Sequence, residues 1–469
     1  MNSTNERIDS FLQERLDRYI DETARLCAQP SVSATGEGVR ECSNLVEDIL
    51  ASHGFEVQKF DTAGEPVVVG RARGRSERTL LCYNHYDVQP AEPFDLWTSP
   101  PFEPTVRDGA LYARGSKDDK GEFIARLAAV DAVRAAHGGE LPCGVTFVVE
   151  GQEEIGSPHI AQFVREHIDL LKSHGAIWEE GGIGPEDRPF NVLGCRGVLT
   201  VEFHVRTLSR DAHSGNGSVL PNAAWRLLWA LTSLKGPDGR IRIPGFYDQA
   251  LPPSQLDKDL FAALPSGEAQ LRETFGVEEF LHGVTGEAYK LAVFDPTCNV
   301  QGMGSGWQGV GPKTIVPAEA SAKVDFRLVP DQDPDDILQK LRRHLENEGY
   351  GDVEVKRLGA MWPAKAAPDD PMVLLTNRTA EEVYGVASLV MPISGGSSPI
   401  YAFAGPLGIP VVTAGVGYLG SRTHSPDEHV RLDHFLNGAR HIARIVDGFA
   451  GIWTMDNARW TMDDGSDED

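Results

Sequence analysis

Residues 80–87 read Leu-Leu-Cys-Tyr-Asn-His-Tyr-Asp, an apolar run that ends in a His-x-Asp pair. The run predicts a buried strand, and because alternate residues of a strand point the same way, His85 and Asp87 leave its end on one face. A carboxylate beside an imidazole can hold the ring and raise its basicity, as a metal-bound histidine requires. Taken alone, the pair fits a structural histidine better, since short motifs are weakly specific. The rest of the chain decides between the two interpretations.

Length and charge limit the class of protein. A chain of 469 residues predicts two or three domains. Its hydrophobic fraction of 41% and charged fraction of 24% are ordinary for a globular protein. The net charge of −25 argues against nucleic acid and anionic membrane surfaces as partners, because both require a basic surface. The acidic residues of Asp463–Asp469 predict a disordered tail.

Cysteine usage and the N-terminus indicate a cellular location. The six cysteines are scattered and contain no Cys-x-x-Cys pair, which favours free thiols in a reducing compartment. The first 20 residues show helical spacing of apolar residues and lack the pattern of a signal peptide. No stretch is long and apolar enough to cross a membrane. We therefore expect a cytoplasmic protein without a membrane partner.

The N-terminal part of the chain alternates between strands and helices. The run 145–150 is continuously apolar, which is typical of a strand in a sheet covered on both faces. The alternation predicts an α/β fold in which a mixed, mostly parallel sheet is flanked by helices. The predicted strands are 67–71, 79–83, 145–150 and 176–178, and the predicted helices are 5–28, 40–53, 121–136 and 159–171.

The pattern changes near Gly197. Residues 198–207 alternate between apolar and polar side chains, which indicates a half-buried antiparallel strand. The segment 198–364 reads as a smaller α+β domain, and buried strands at 388–393 and 410–414 then resume. A helix at 432–449 follows. We predict a discontinuous domain, 1–197 with 365–469, interrupted by an inserted domain at 198–364.

Acidic and imidazole side chains gather where the predicted strands end. Ligands of open α/β sheets bind at the carboxyl ends of strands. Several carboxylates there would repel one another unless a cation were present, and histidines with carboxylates suit zinc, or else manganese or cobalt. Five such groups in one chain favour a metal site over solvated turns: His85 with Asp87, Asp118-Asp119, Glu153-Glu154, Glu179-Glu180, and His424.

These groups belong to motifs that together resemble the M20 metallopeptidases, the family of the carnosinase-like dipeptidases and carboxypeptidase G2. The likeness runs in order over about residues 10–450. The motifs are His85-Tyr86-Asp87, the run Gly115-Ser116-Lys117-Asp118-Asp119-Lys120-Gly121, the run 150–157, Trp178-Glu179-Glu180-Gly181-Gly182, Asp211-Ala212-His213-Ser214-Gly215, and Thr423-His424-Ser425.

The resemblance implies two divalent metal ions, with Zn²⁺ expected and Mn²⁺ or Co²⁺ as alternatives. It implies His85 as a ligand of the first metal, Asp118 as the bridge, and Glu154 and His424 as ligands of the second. For the last ligand of the first metal, the motif Trp-Glu-x-Gly-Gly points to Glu179. A count back from Arg196 in carnosinase-like sequences would select Glu180 instead, and Glu179 is preferred.

The resemblance also implies the residues that carry the reaction. Asp87 orients His85, and Glu153 is the general base that takes a proton from the attacking water. His213, in the inserted domain, matches the histidine that stabilises the tetrahedral oxyanion. Such a donor, aimed at developing negative charge, contributes several kcal/mol.

The residues expected to hold the substrate come from two further segments. Thr314 and Arg327 match positions of the family's lid, and Gly396 and Ser397 match a substrate-contacting loop. The chain departs from the carnosinase-like pattern Glu-Gly-Gly-Ser, because residues 394–397 read Ser-Gly-Gly-Ser. The side-chain preference therefore does not follow from the resemblance.

We predict a cytoplasmic dinuclear metal-dependent exopeptidase that cleaves dipeptides or short peptides with a free C-terminal carboxylate. By resemblance, it forms a homodimer through the inserted lid and dimerisation domain. One alternative is an N-acyl amino acid deacylase of the same family. Another is a catalytically inactive binding module, which the presence of every expected ligand and of the base argues against.

Overall fold

The computed structural model describes residues 3–452, so the predicted tail Asp463–Asp469 lies outside the described residues. Within it the chain divides into two units. The first contains the residues up to Leu193, Ala366–Pro392 and the residues from Ala402 onward. The second contains Gly194–Lys365 and Ile393–Tyr401. The predicted domain boundaries stay a prediction, and the units differ from them chiefly in Ile393–Tyr401.

The first unit is built on a six-stranded sheet. Its first three strands are joined antiparallel and the remaining neighbours are parallel, so the predicted α/β fold with a mixed, mostly parallel sheet is confirmed. The strand that carries His85 lies in the interior of this sheet and is buried beyond its first residue. In spatial order the strands are Glu56–Phe60, Val67–Ala72, Gly144–Glu150, Thr79–His85, Gly175–Trp178 and Val411–Thr413.

Helices cover this sheet, and one of them is buried on nearly all sides. Lys120–Ala136 is rich in alanine, and it packs against the first and last helices of the chain. A helix without a polar face belongs in a core. The helices of this unit are Thr4–Ala28, Val39–Ser52, Lys120–Ala136, Ile160–Glu166, Ile168–Leu171, Pro371–Tyr384, Tyr401–Leu407 and Leu432–Phe449.

A buried arginine of the central helix ties strand ends together. The Arg126 guanidinium donates hydrogen bonds to the carbonyls of Tyr83 (2.6 Å), Trp178 and Ala414 (3.4 Å). Each acceptor lies at or next to the carboxyl end of a strand of the six-stranded sheet. Burying this charge is tolerated because its two Nη atoms donate to these carbonyls. Arg126 thus fixes the edge from which the candidate site residues project.

Two smaller sheets complete the first unit. A four-stranded sheet has the order Leu389–Met391, Pro189–Val192, Gly182–Ile183 and Gly417–Tyr418, and a three-stranded sheet has the order His429–Arg431, Ala110–Tyr112 and Thr105–Arg107. The second of these places the chain just after His424 beside the segment that leads to Asp118.

The second unit is organised around a four-stranded antiparallel sheet. The strand Gly197–Arg206 alternates between buried and half-buried residues, as predicted for a strand with one covered face. The helices Ala223–Leu234 and Pro334–Asn347 pack against this sheet. In order, the strands are Thr297–Ser305, Glu319–Leu328, Gly197–Arg206 and Glu354–Met361. Two-stranded pairs join Gly194–Cys195 to Ala364–Lys365 and Ala212–His213 to Ile315–Val316.

Some elements differ from the predicted ones. The predicted helix 159–171 is two helices, which break at His167. The region 236–290 is poorly periodic in sequence, yet it contains the helices Gln255–Ala263 and Glu268–Phe275, with Gly286–Leu291 starting at its end. These helices bury few residues, which explains the weak periodicity of apolar residues in this region.

Two further findings concern membrane-spanning helices and the cysteines. None of the helices in residues 3–452 combines the length and apolar character that crossing a membrane requires. All six cysteines are buried, and none is joined in a disulfide.

Candidate metal centre

His85 stands at the end of its strand between two carboxylate-bearing residues. Its ring Nδ1 lies 3.0 Å from the Asp87 carbonyl and 3.4 Å from Asp87 Oδ1. Its Nε2 lies 3.1 Å from Asp118 Oδ1. If Nδ1 carries the proton and donates toward Asp87, Nε2 keeps a lone pair for a cation. This geometry is compatible with Asp87 orienting His85, a role that stays a prediction.

Asp87 also holds the acidic pair that follows the strand Gly144–Glu150. Its two carboxylate oxygens accept hydrogen bonds from the backbone N–H groups of Glu153 (3.2 Å) and Glu154 (3.0 Å). These residues begin a single helical turn, Glu153–Ile155, where backbone N–H groups are free to donate. One buried carboxylate therefore fixes both the histidine and the glutamate pair.

Glu154, Asp118 and His424 converge beside His85. The Nε2 atom of His424 lies 3.0 Å from Asp118 Oδ2 and 3.1 Å from Glu154 Oε2. The candidate ligand atoms of His85, Asp118 and Glu154 all lie within 4.8 Å of one another. Ligand atoms about 2.0–2.2 Å from a tetrahedral zinc ion are separated by about 3.3 Å. The spacing of these side chains therefore fits a shared cation.

Glu179 supplies an independent sign of a missing positive charge. It is only 5% exposed, and its Oε2 has no hydrogen-bond partner among the described residues. Burial, followed by the nearby Glu153 carboxylate, holds the pKa of Glu179 well above its usual range. Glu180, by contrast, is exposed. A buried acceptor without a donor favours Glu179 over Glu180 as a ligand, although the assignment stays a prediction.

The charges of the cluster compensate one another through protons on the histidines. Hydrogen bonds to Asp118 and Glu154 raise the pKa of His424 to about 10. Burial lowers the pKa of His85, but hydrogen bonds to Asp118 and Asp87 outweigh it and hold that pKa well above its usual range. Burial raises the pKa of Asp118, yet Lys117 and the two histidines hold it well below its usual range. A divalent cation would supply the same compensation.

Glu153 has the protonation behaviour expected of a group that exchanges protons near neutral pH. Burial raises its pKa to about 8, and the Glu154 and Asp118 carboxylates add to the rise while His85 opposes it. A base is most effective when its pKa lies near the working pH. Its role as general base stays a prediction, which this environment supports.

Sequence reasoning missed the residues that position Asp118. Glu428 is fully buried, and its Oε1 accepts hydrogen bonds from the backbone N–H groups of Lys117 (3.1 Å) and Asp118 (3.0 Å). Its Oε2 accepts one from Arg114 Nη1 at 2.6 Å. The only signal in the sequence was an acidic residue shortly after His424.

Asp119 plays a similar part for His85. Its Oδ2 accepts hydrogen bonds from Asn84 Nδ2 (2.7 Å) and from the backbone N–H of His85 (2.9 Å). The two consecutive aspartates thus serve different partners, because Asp118 faces the histidine rings and Asp119 faces the strand end. The sequence motif identifies Asp118-Asp119 as a pair, but it does not predict that the two aspartates contact different partners.

The predicted substrate residues lie in the second unit, in two groups. His213 is exposed on the short strand Ala212–His213, and the Ser214 N–H that follows it donates to the Thr314 carbonyl (3.0 Å). Arg327 Nη1 donates to Ser397 Oγ (2.8 Å), and the Gly396 carbonyl accepts from the Arg196 N–H (3.0 Å). The roles of these residues stay predictions.

Comparison with known proteins places the chain in a family. The sequence profile described as "Peptidase family M20/M25/M40" matches residues 81–448. A Beta-Ala-His dipeptidase of Mus musculus is 28% identical over 425 residues, 85% of each chain. The Cys-Gly metallodipeptidase dug1 of Schizosaccharomyces pombe is 26% identical over 475 residues, 95% of this chain and 98% of that protein.

A solved structure agrees with these sequence matches. The M20 family metallo-carboxypeptidase Sso-CP2 from Sulfolobus solfataricus has a TM-score of 0.82 and 32% sequence identity, and the match covers 92% of this chain and 99% of that one. The resemblance seen in the motifs is confirmed. The chain belongs to the peptidase family M20/M25/M40 and is a metallopeptidase-type hydrolase.

Proposed function

We propose that this enzyme is a dipeptidase that uses two divalent cations and acts on peptides with a free C-terminal carboxylate. The convergence of His85, Asp118 and Glu154 within 4.8 Å carries the proposal. Two further observations support it: the Oε2 of buried Glu179 has no partner in the described part of the chain, and two relatives have dipeptidase names. When bound, two cations lower the pKa of water and polarise a carbonyl group.

We assign metal binding, proton transfer, positioning and oxyanion stabilisation to individual residues of the chain. His85, Asp118, Glu154, Glu179 and His424 would hold the cations. Glu153 takes a proton from the attacking water and passes it to the leaving amine, and its raised pKa suits both steps. Asp87 keeps His85 and the Glu153 backbone in place. His213 donates to the oxyanion that forms at the scissile carbonyl.

An N-acyl amino acid deacylase is the second candidate. Its substrates present the same C-terminal carboxylate, so the same anchor would serve. The loop Ser394-Gly395-Gly396-Ser397 carries no carboxylate to receive a substrate ammonium group, and this favours an acyl group more than the Glu-Gly-Gly-Ser pattern would.

A substrate panel separates the two candidates. We expect dipeptides to be hydrolysed with kcat/KM at least about tenfold above that of the matching N-acetyl amino acids, because the relatives with dipeptidase names span most of the chain. Release of the C-terminal amino acid should be measured for Gly-Leu, Ala-Leu and β-Ala-His beside acetyl-leucine and acetyl-histidine. Preference for the acetyl compounds would assign the enzyme to the deacylases.

We also propose that the second unit forms a homodimer contact. The strand Thr297–Ser305 is at the edge of its sheet and largely exposed, so its backbone groups are available for pairing. The neighbouring helix Ala223–Leu234 presents stacked Trp225 and Trp229, which are 56% and 53% exposed. An exposed aromatic patch beside a free strand edge is typical of an interaction surface.

Replacing Trp225 and Trp229 together by glutamate is expected to convert the dimer to a monomer. Two charges in an apolar contact would be desolvated without partners. Light scattering coupled to size exclusion should show half the wild-type mass. The control is Leu374→Glu, which places a charge at an exposed leucine (55%) of the first unit and should leave the mass unchanged. An unaltered mass in the tryptophan variant would contradict this interface.

A cytoplasmic location remains part of the proposal. The six buried cysteines without a disulfide support it.

A further inference from the structure

Arg196 is a buried cation of the second unit that the proposed mechanism has not used. It is 7% exposed and directly precedes the strand Gly197–Arg206. Within residues 3–452 its guanidinium makes one hydrogen bond, from Nη2 to the Asp295 carbonyl (2.7 Å). Its buried Nε has no partner among the same residues. A buried charge with so few acceptors is costly unless an anion completes its surroundings.

A second arginine lies next to it. Arg327 is on the adjacent antiparallel strand, where it pairs with Val198, two residues after Arg196. Burial, and after it the Arg327 charge, lowers the pKa of Arg196 to about 10, while Asp295 and Asp325 act in the opposite direction. Because arginine side chains carry a positive charge at neutral pH, the two repel each other. The Asp295 and Asp325 carboxylates oppose this repulsion.

Both arginines are attached to the same loop. The Arg196 N–H donates to the Gly396 carbonyl (3.0 Å), and Arg327 Nη1 donates to Ser397 Oγ (2.8 Å). Arg327 Nε lies 4.0 Å from Asp325 Oδ2. Gly396 is open, since an added Cβ would meet nothing closer than 4.0 Å. Arg196 through its backbone and Arg327 through its guanidinium thus both contact a loop with a hydroxyl group and an unobstructed backbone.

We propose that Arg196 is a second cation of the carboxylate subsite and acts together with Arg327 on the C-terminal carboxylate of the peptide. A planar carboxylate has two oxygens that can each accept from a guanidinium, which makes paired arginines suited to it. The anion would relieve the repulsion between the arginines and supply the acceptors that Arg196 lacks. This inference rests on the proposed function, because it names the group that the substrate must carry.

The test compares enzyme variants on paired substrates. For wild type and Arg196→Gln, kcat/KM should be measured on one dipeptide and on its C-terminal amide. We expect the variant to lose about 10- to 100-fold on the acid, as for a hydrogen bond to a charged group, and less than about twofold on the amide. Arg206→Gln, at the exposed far end of the same strand, is the matched control and should change neither.

Equal losses on acid and amide would overturn the proposal and leave Arg196 as a support for the Asp295 carbonyl. Arg196→Lys keeps the charge and should recover part of the acid-specific loss. If circular dichroism shows that Arg196→Gln does not fold, Arg196→Lys replaces it in the comparison of acid and amide.

A binding measurement tests the role of Arg196 separately from the proposed function. Calorimetry should use a dipeptide analogue with a reduced CH₂–NH linkage, prepared as acid and as amide. Wild type should bind the acid at least about tenfold more tightly than the amide. In Arg196→Gln this ratio of affinities should be at least about threefold smaller. If wild type binds acid and amide equally, both the carboxylate requirement and the role of Arg196 are wrong. If wild type prefers the acid and Arg196→Gln keeps the whole preference, only the role of Arg196 is wrong.

Discussion

Glu153→Gln is expected to lower kcat by at least about 10²–10⁴-fold, the contribution of a general base, while each chain still binds two metal ions. Glutamine keeps the shape of the side chain and the backbone N–H that donates to Asp87, but it cannot accept a proton. The variant should be assayed for dipeptide hydrolysis, and its metal content should be measured by mass spectrometry after extensive dialysis.

The neighbouring residue provides the control. Glu154→Gln changes a residue that also donates its N–H to Asp87, but its side chain contacts His424 and is a predicted ligand. That variant should lose metal as well as activity. If Glu153→Gln loses more than half of its metal, Glu153 belongs to the ligand set and the assignment of the base is wrong.

Amidation of the substrate's C-terminus is expected to lower kcat/KM by about 30-fold or more. Leaving a buried cation unpaired costs about 2–5 kcal/mol, which corresponds to about 30-fold to several thousand-fold. Because the Arg327 side chain is 36% exposed, the lower end of this range is expected. The loss should appear in kcat as well as KM, since binding energy from a remote anchor aligns the reacting carbonyl. Steady-state kinetics on a good dipeptide and its amide would measure it.

Arg327→Gln supplies the matching control, because it should reduce the difference between acid and amide. Equal hydrolysis of the two substrates by the wild type would contradict the carboxylate anchor. It would favour an enzyme that recognises only the N-terminal or acyl side of its substrate.

The strand ends that bear the site could be predicted because local patterns determine them. The run 80–87 is apolar until His85, and the strand Thr79–His85 ends there. Alternation in 198–207 likewise predicted the strand Gly197–Arg206 with one covered face. In both cases burial of the strand requires apolar residues at particular positions, and these positions can be read from the sequence of the strand alone.

Other features depend on contacts between distant residues or on weak local signals. Glu428 holds the backbone of Asp118 across 310 positions, and no spacing rule connects them. The helix Pro371–Tyr384 was missed because β-branched residues lower its intrinsic helix propensity. Its start was nevertheless readable, since Asp370 caps the helix and Pro371 occupies the first position.

The buried polar atoms without hydrogen-bond partners could be identified only from the structure. Among residues 3–452, Glu179 Oε2 and Arg196 Nε are buried without hydrogen-bond partners, which follows from the packing around them and not from any motif. The first observation supports a missing cation, and for Arg196 the single hydrogen bond of its guanidinium among the described residues supports a missing anion.

Metal titration tests the central claim most directly. Metal-free enzyme, prepared by dialysis against a chelator, should be titrated with Zn²⁺ while bound metal and dipeptide hydrolysis are followed together. We predict no hydrolysis without metal, binding of two ions per chain and a rise of activity that is complete at two equivalents. Full hydrolysis by the metal-free protein, or failure to bind any ion at His85, Asp118 and Glu154, would contradict a two-metal peptidase.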